Sequence, residues 1–140
     1  VTGVQTCALP ISHAPLDSHR DGEPIARSAR ERRLGMFCHL AALIGIFLPW
    51  HFLEIVGPLV IWLLYRHGMP FVDSQGREAV NFQLTMFVLQ LCCLPLVLIL
   101  VGVPLIWGLK LLNLVLLVAA AVRTSEGRPF RYPINLRFLG

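Results

Sequence analysis

The residues able to do chemistry are concentrated between Phe71 and Gln83, in the run Phe-Val-Asp-Ser-Gln-Gly-Arg-Glu-Ala-Val-Asn-Phe-Gln. Ser74, Glu78, Asn81 and Thr85 recur at spacings of four, three and four, so a helix places them on one face, which Gln75 and Gln83 widen. Phe71, Asp73, Gln75, Gly76, Arg77, Glu78, Asn81, Phe82 and Gln83 together form the candidate functional motif. Asp73 is suited to cap that helix, since its carboxylate accepts hydrogen bonds from backbone amides that a helix start leaves unpaired. Two chemistries fit the face, because lipid offers polar groups no hydrogen-bond partner and turns them toward water or the bundle interior. Either it lines a path for a substrate, ion or partner, or Asn81 and Gln83 bond neighbouring helices while Arg77 and Glu78 sit at the headgroups. The second reading is the simpler.

Other candidates are scattered. His51 and Glu54 lie close together in sequence with His39 further upstream, a set that a proton relay would use, although a Glu and a His near a helix end normally stay in the wet interface. Lys110, the one lysine, is expected to snorkel outward along its stem, with pairing to Glu54 as the alternative. Cys7, Cys38, Cys92 and Cys93 have no zinc-type spacing and read as small apolar packing residues. No nucleophile elbow, phosphate loop, dinucleotide fingerprint or metalloprotease helix occurs. The sequence therefore predicts no catalytic residue, no metal, no cofactor and no enzyme.

The elements that position these residues follow from hydropathy. The chain is 56% hydrophobic and 14% charged, outside the balance of a soluble globular protein. From Ala79 to Val122 the one charged residue is Lys110. As a single helix that run would reach roughly 65 Å, twice the ~30 Å of a bilayer core, so it holds two spans. Upstream, two shorter apolar runs flank Pro49-Trp50-His51 and predict a tight hairpin of two short or tilted helices. The fold class is all-α, an integral membrane four-helix bundle of two hairpins, with spans expected at about 34–49, 52–66, 79–100 and 104–122. His67-Gly68 and Pro70 end the second helix, with Trp62 and Tyr65 at the interface. The third helix is expected to reopen at Val72-Asp73 and run to Leu100 with a bend at Pro95, and the Val101–Pro104 run separates it from the fourth. Ala41-x-x-x-Gly45 is a small-xxx-small pattern that permits close helix approach.

The N-terminus is set apart. Val1 to Ser12 reads as translated sequencing-adapter read-through and is excluded from fold reasoning, and 13–31 reads as a disordered cytoplasmic tail whose last arginine-rich part begins a helix. The membrane domain is 32–139.

Arginine placement gives an independent topology. Arginines precede the first span, lie between the second and third at Arg66 and Arg77, and follow the fourth at Arg123, Arg128, Arg131 and Arg137, whereas neither opposite turn has a Lys or Arg. The positive-inside tendency then predicts a multi-pass protein of the cell (inner) membrane with both termini cytoplasmic. In the tail, Arg128, Arg131, Tyr132 and Arg137 are candidate membrane-surface contacts, suited to a bilayer with anionic headgroups. The formal charge of +4 is not organised as a basic face with interleaved aromatics, so nucleic acid is not an expected partner. An unidentified membrane protein partner or a second copy is.

The chain also resembles a bacterial family of small multi-pass membrane proteins of unknown function related to the twenty-kilodalton subunit of the chloroplast inner-envelope translocon (Tic-like). The resemblance rests on Phe37 to Leu43, Gly57-Pro58-Leu59, Ile61-Trp62, Phe71 to Gln83, and Gly127 to Phe138 with Arg131-Tyr132-Pro133 and Arg137. It implies four helices and no catalytic residues. Two functions are left open: a membrane scaffold or interaction subunit, and a component of a transport or protein-translocation pathway with a polar helix face lining a path.

Overall fold

The computed structural model describes residues 24–47 and 52–139. The expected read-through, residues 13–23 of the tail, and the Pro49-Trp50-His51 turn lie outside these residues. Among the described residues there are four helices, α1 (Ala29–Ile46), α2 (Phe52–Tyr65), α3 (Pro70–Val97) and α4 (Gly102–Ser125), arranged as two hairpins and followed by a C-terminal segment without regular secondary structure.

Helix α1 begins at Ala29, within the arginine-rich end of the tail that was expected to begin a helix. The Ser28 hydroxyl accepts from the Glu31 amide at 3.2 Å, and the Glu31 carboxylate accepts from the Arg27 amide at 2.6 Å, two reciprocal caps on donors that a helix start leaves free. The Ala26 amide donates to the Gly127 carbonyl, tying this lead-in to the turn after α4.

The two helices of the first hairpin approach at backbone distance. A Cβ on Gly45 would stand 2.5 Å from the Glu54 amide nitrogen, and one on Gly57 would stand 3.0 Å from the Ala41 carbonyl oxygen. The Ala41-x-x-x-Gly45 pattern thus lies on the seam. Because the obstruction at Gly45 is backbone, it cannot rotate aside. Gly45→Ala is expected to destabilise the fold by about 1–3 kcal/mol through overpacking, read by unfolding in mixed detergent micelles. Gly108, whose Cβ would meet nothing within 4 Å, is the control; Gly108→Ala should be neutral or stabilising by about 0.5–1 kcal/mol.

Helix α3 starts two residues before the expected point. Pro70 occupies its first turn, where a missing N–H is harmless, and Met69 is the N-cap with no side-chain bond. Asp73 is therefore not a cap. Its carboxylate accepts from the Trp62 indole N–H at 2.8 Å and pairs with Arg77 at 3.1 Å, joining α2 to α3. Trp62 is correspondingly buried against Gly76 rather than held at a wet interface, with the Arg66 guanidinium 5.3 Å from its ring centroid. Gly68 adopts φ +80°, the left-handed conformation that ends the α2 side of the turn. The other end of α3 falls at Val97, with Pro95 inside it and the turn 98–100 following.

With 28 and 24 residues, α3 and α4 reach about 42 and 36 Å, enough to cross a bilayer core. Helices α1 and α2, with 18 and 14 residues, reach about 27 and 21 Å, the pair of short helices expected on either side of the Pro49-Trp50-His51 turn. The core joins Ala42, Phe82, Met86, Leu117, Ala120 and Tyr132, with Cys38, Val72 and Ala79 in a second cluster. Outside it, Trp107, Leu111, Val115, Val118 and Val122 form an exposed apolar stripe along α4. Water does not tolerate such a stripe; acyl chains do.

Candidate functional site: a polar face of α3 covered by the C-terminal strap

The polar face predicted on α3 exists, and most of it is buried. Gln75, Asn81, Gln83 and Thr85 are each at most 3% exposed. What covers it is the segment 128–139, an extended strap returning from the end of α4. The Gln75 Oε1 accepts from the Phe130 amide at 3.1 Å, and the Thr85 hydroxyl accepts from the Leu136 amide at 2.9 Å. Asn81 makes two bonds to one residue, accepting from the Leu139 amide at 2.9 Å and donating to its carbonyl at 3.3 Å. Glu78 accepts from the Asn135 side chain at 2.6 Å. Three side chains of one helix face therefore supply the hydrogen bonds that a strap without sheet partners would lack.

Aromatic packing fixes the strap's register. The Tyr132 ring stacks on Phe82 at 3.8 Å between centroids and 8° between planes, and Phe130 meets Tyr132 edge-on. The Tyr132 hydroxyl shares a hydrogen bond of 2.8 Å with His39 Nδ1, so α1, α3 and the strap meet at one point. Burial raises the Tyr132 phenol well above its usual pKa of 10.0, and the Glu78 charge adds to the rise. A raised pKa means this contact contributes fully below the ordinary tyrosine range and is lost only as pH climbs through the raised value, in strong alkali. Tyr132 is thus a buried anchor rather than the surface contact expected from sequence, while Arg128, Arg131 and Arg137 are exposed.

The remaining motif residues serve packing. Phe71 is 1% exposed and lies over Gly35, and Gly76 admits the Trp62 ring. Gln83 faces the bundle interior, exchanging two bonds with Asn113 of α4 at 3.2 and 3.3 Å.

In a second polar cluster, the part played by Asn113 was not anticipated from sequence. Asn113 also donates to Glu54 Oε2 at 3.2 Å, and Lys110 forms an ion pair with Glu54 Oε1. The pairing considered secondary for Lys110 is the one that forms, and Glu54, 4% exposed, is not in a wet interface. The reason is geometric. Lys110 stands eight residues beyond Gly102, about 12 Å along α4, and the short α1–α2 hairpin brings the first turn of α2 to that level rather than to the outer end. Lys110 and Asn113 lie three apart, on one face of α4, which was the available signal. Among the described residues no group of His, Cys, Asp and Glu is placed to hold a metal.

A family model covers residues 30–139, from the first turn of α1 to the end of the strap, and its description is the magnetosome magnetite crystal formation protein family. The chain belongs to this MamF/MmsF family. The match includes both the polar face and the strap that covers it, so the two form part of what the MamF/MmsF model describes. It bears out a small bacterial membrane protein family, and its name points to magnetosomes rather than to a chloroplast translocon. Searches of curated proteins and of solved structures returned no match.

Proposed function

We propose that this MamF/MmsF chain is a small, non-enzymatic membrane scaffold that presents its strap-covered α3 surface to the cytoplasm, on the membrane that bounds a forming crystal. The observation that carries it is the covered polar face: side chains bonded to the chain's own strap do not line an open path. The arginine distribution supports cytoplasmic termini. Helix lengths support two full crossings by α3 and α4 with the α1–α2 hairpin reaching part-way from the same side. The family description supplies the link to crystal formation. The partner of such a scaffold is another membrane protein or a second copy.

One observation favours the alternative, a transport component. Gln90 is seven residues beyond Gln83 on α3, buried, and its Nε2 has no partner among the described residues. A path of water continuing past Gln83 would satisfy it.

Thiol labelling separates the two. In a chain with its native cysteines replaced, Asn81→Cys, Thr85→Cys and Gln90→Cys are expected to resist a membrane-impermeant maleimide added from the cytoplasmic side, while exposed Glu126→Cys reacts. Labelling of all three buried positions at the rate of Glu126→Cys would replace the scaffold by a lined path.

A further inference from the structure

The strap follows α3 toward the bilayer. Phe130 bonds to Gln75 and Leu136 to Thr85, ten residues farther along the helix, so between these contacts the strap runs about 15 Å down α3. The last charges on α3 are Arg77 and Glu78, and its uncharged stretch starts at Ala79. Thr85 stands six residues beyond Ala79, about 9 Å inside that stretch. The strap itself is uncharged from Tyr132 to Leu136 and bracketed by Arg131 and Arg137. Both arginines line a recess with Ser74, Arg77 and Asn81, at least one turn nearer the start of α3 than Thr85, so their stems reach back toward headgroup level. The apolar side chains change direction at the bend 133–134. Before it, Phe130 and Tyr132 pack into the core; after it, Ile134, Leu136 and Phe138 are 44%, 53% and 54% exposed. Val118 and Val122, also exposed, lie within the last two turns of α4, so the helices carry an apolar rim at the same end of the bundle.

We infer that residues 132–138 form a re-entrant segment. Its main chain lies on α3 at the boundary between headgroups and acyl chains, and Ile134, Leu136 and Phe138 enter the acyl chains of the leaflet on the side of the C-terminus. Lipid leaves irregular main chain without partners unless protein provides them, so such a segment needs bonding groups at that depth. Asn81 and Thr85 are those groups: Asn81 bonds both the N–H and the carbonyl of Leu139, and Thr85 takes the amide of Leu136. Pro133, at the bend, has no N–H to satisfy. This accounts for polar side chains standing within the uncharged stretch of α3. The depth of about 9 Å matches the roughly 5–10 Å to which interfacial amphipathic elements sink. The occupant of the apolar edge is therefore lipid, with acyl chains against Ile134, Leu136 and Phe138 and headgroups at the level of the arginines. The inference rests on the crossing of the bilayer by α3 in the reading above, and not on the scaffold role.

The test places one spin label at a time on the full chain, its native cysteines replaced, in phosphatidylcholine nanodiscs. It compares collisions with oxygen, which concentrates among acyl chains, against collisions with a water-soluble nickel chelate. Labels at Ile134→Cys, Leu136→Cys and Phe138→Cys should show an oxygen-to-nickel ratio several-fold above that of exposed Glu126→Cys, and depths of about 5–10 Å below the lipid phosphates. Val118→Cys, on the exposed face of α4, supplies the acyl-chain value. If the three strap labels match Glu126→Cys while Val118→Cys reports lipid, the segment lies in water and the inference fails alone. If Val118→Cys reports water as well, the crossing fails and the inference with it. Strap labels shielded from both reagents would put protein, a second copy included, on the apolar edge and would also overturn the insertion into lipid.

Discussion

Replacing Lys110 by alanine is expected to destabilise the folded chain by about 3 kcal/mol, among the largest effects of any single substitution outside the aromatic core. The change leaves the Glu54 carboxylate buried without its ion-pair partner, while Asn113 still donates to it. The penalty comes from the stranded charge more than from the lost attraction. Consequently the double variant Glu54→Gln/Lys110→Met, which keeps an oxygen for Asn113 and removes both charges, should return to within about 1 kcal/mol of the parent. Equilibrium unfolding in mixed micelles measures both. Equal destabilisation by the single and double variants would mean that the pair acts through packing of its side chains rather than through charge.

Tyr132→Ala should have a comparable effect at the other end of the bundle, about 3–5 kcal/mol, because it removes the ring stacked on Phe82 and the contact with His39. Its signature is local as well as global. The strap holds Arg131 and Arg137, so loosened docking should speed tryptic cleavage there before the helices unfold. Tyr132→Phe separates the two contributions. It keeps the stacked ring and loses the bond to His39, so a loss of only about 1 kcal/mol and little change in cleavage are expected. Rapid cleavage of Tyr132→Phe would move the anchoring role from the ring to the hydroxyl.

Much of this fold is legible in sequence because hydropathy and punctuation act locally. The run from Ala79 to Val122, with Lys110 its one charged residue, requires two helices, and Gly68 with Pro70 marks the end of α2 whatever the helices later touch. The polar face of α3 is equally local, since its spacing is a property of one helix. What the face contacts is not local. The strap alternates apolar and polar residues from Phe130 to Phe138 but pairs with no other strand among the described residues, and its bonds to Gln75, Asn81 and Thr85 join residues 51 to 58 positions apart. Nothing in Arg131 to Leu139 announces that its main chain is to be read by side chains of a helix. The same holds for Glu54 and Lys110. Counting residues along α2 places Glu54 at the outer surface, and only the shortness of the first hairpin brings it level with Lys110 and Asn113. Asp73 shows the reverse case: a residue type suited to capping is drawn to the Trp62 indole once Pro70 has started the helix.

The central claim is that the C-terminal strap is held on α3 by side-chain acceptors, and amide hydrogen exchange measured by NMR in micelles tests it residue by residue. Within a segment of no regular secondary structure, the amides of Phe130, Leu136 and Leu139 should exchange slowly while those of Arg137 and Phe138 exchange quickly, and Asn81→Ala with Thr85→Ala should release Leu136 and Leu139 but not Phe130. Uniformly fast exchange from Arg128 to Leu139 in the parent chain would contradict the docked strap and reopen the polar face of α3 to solvent.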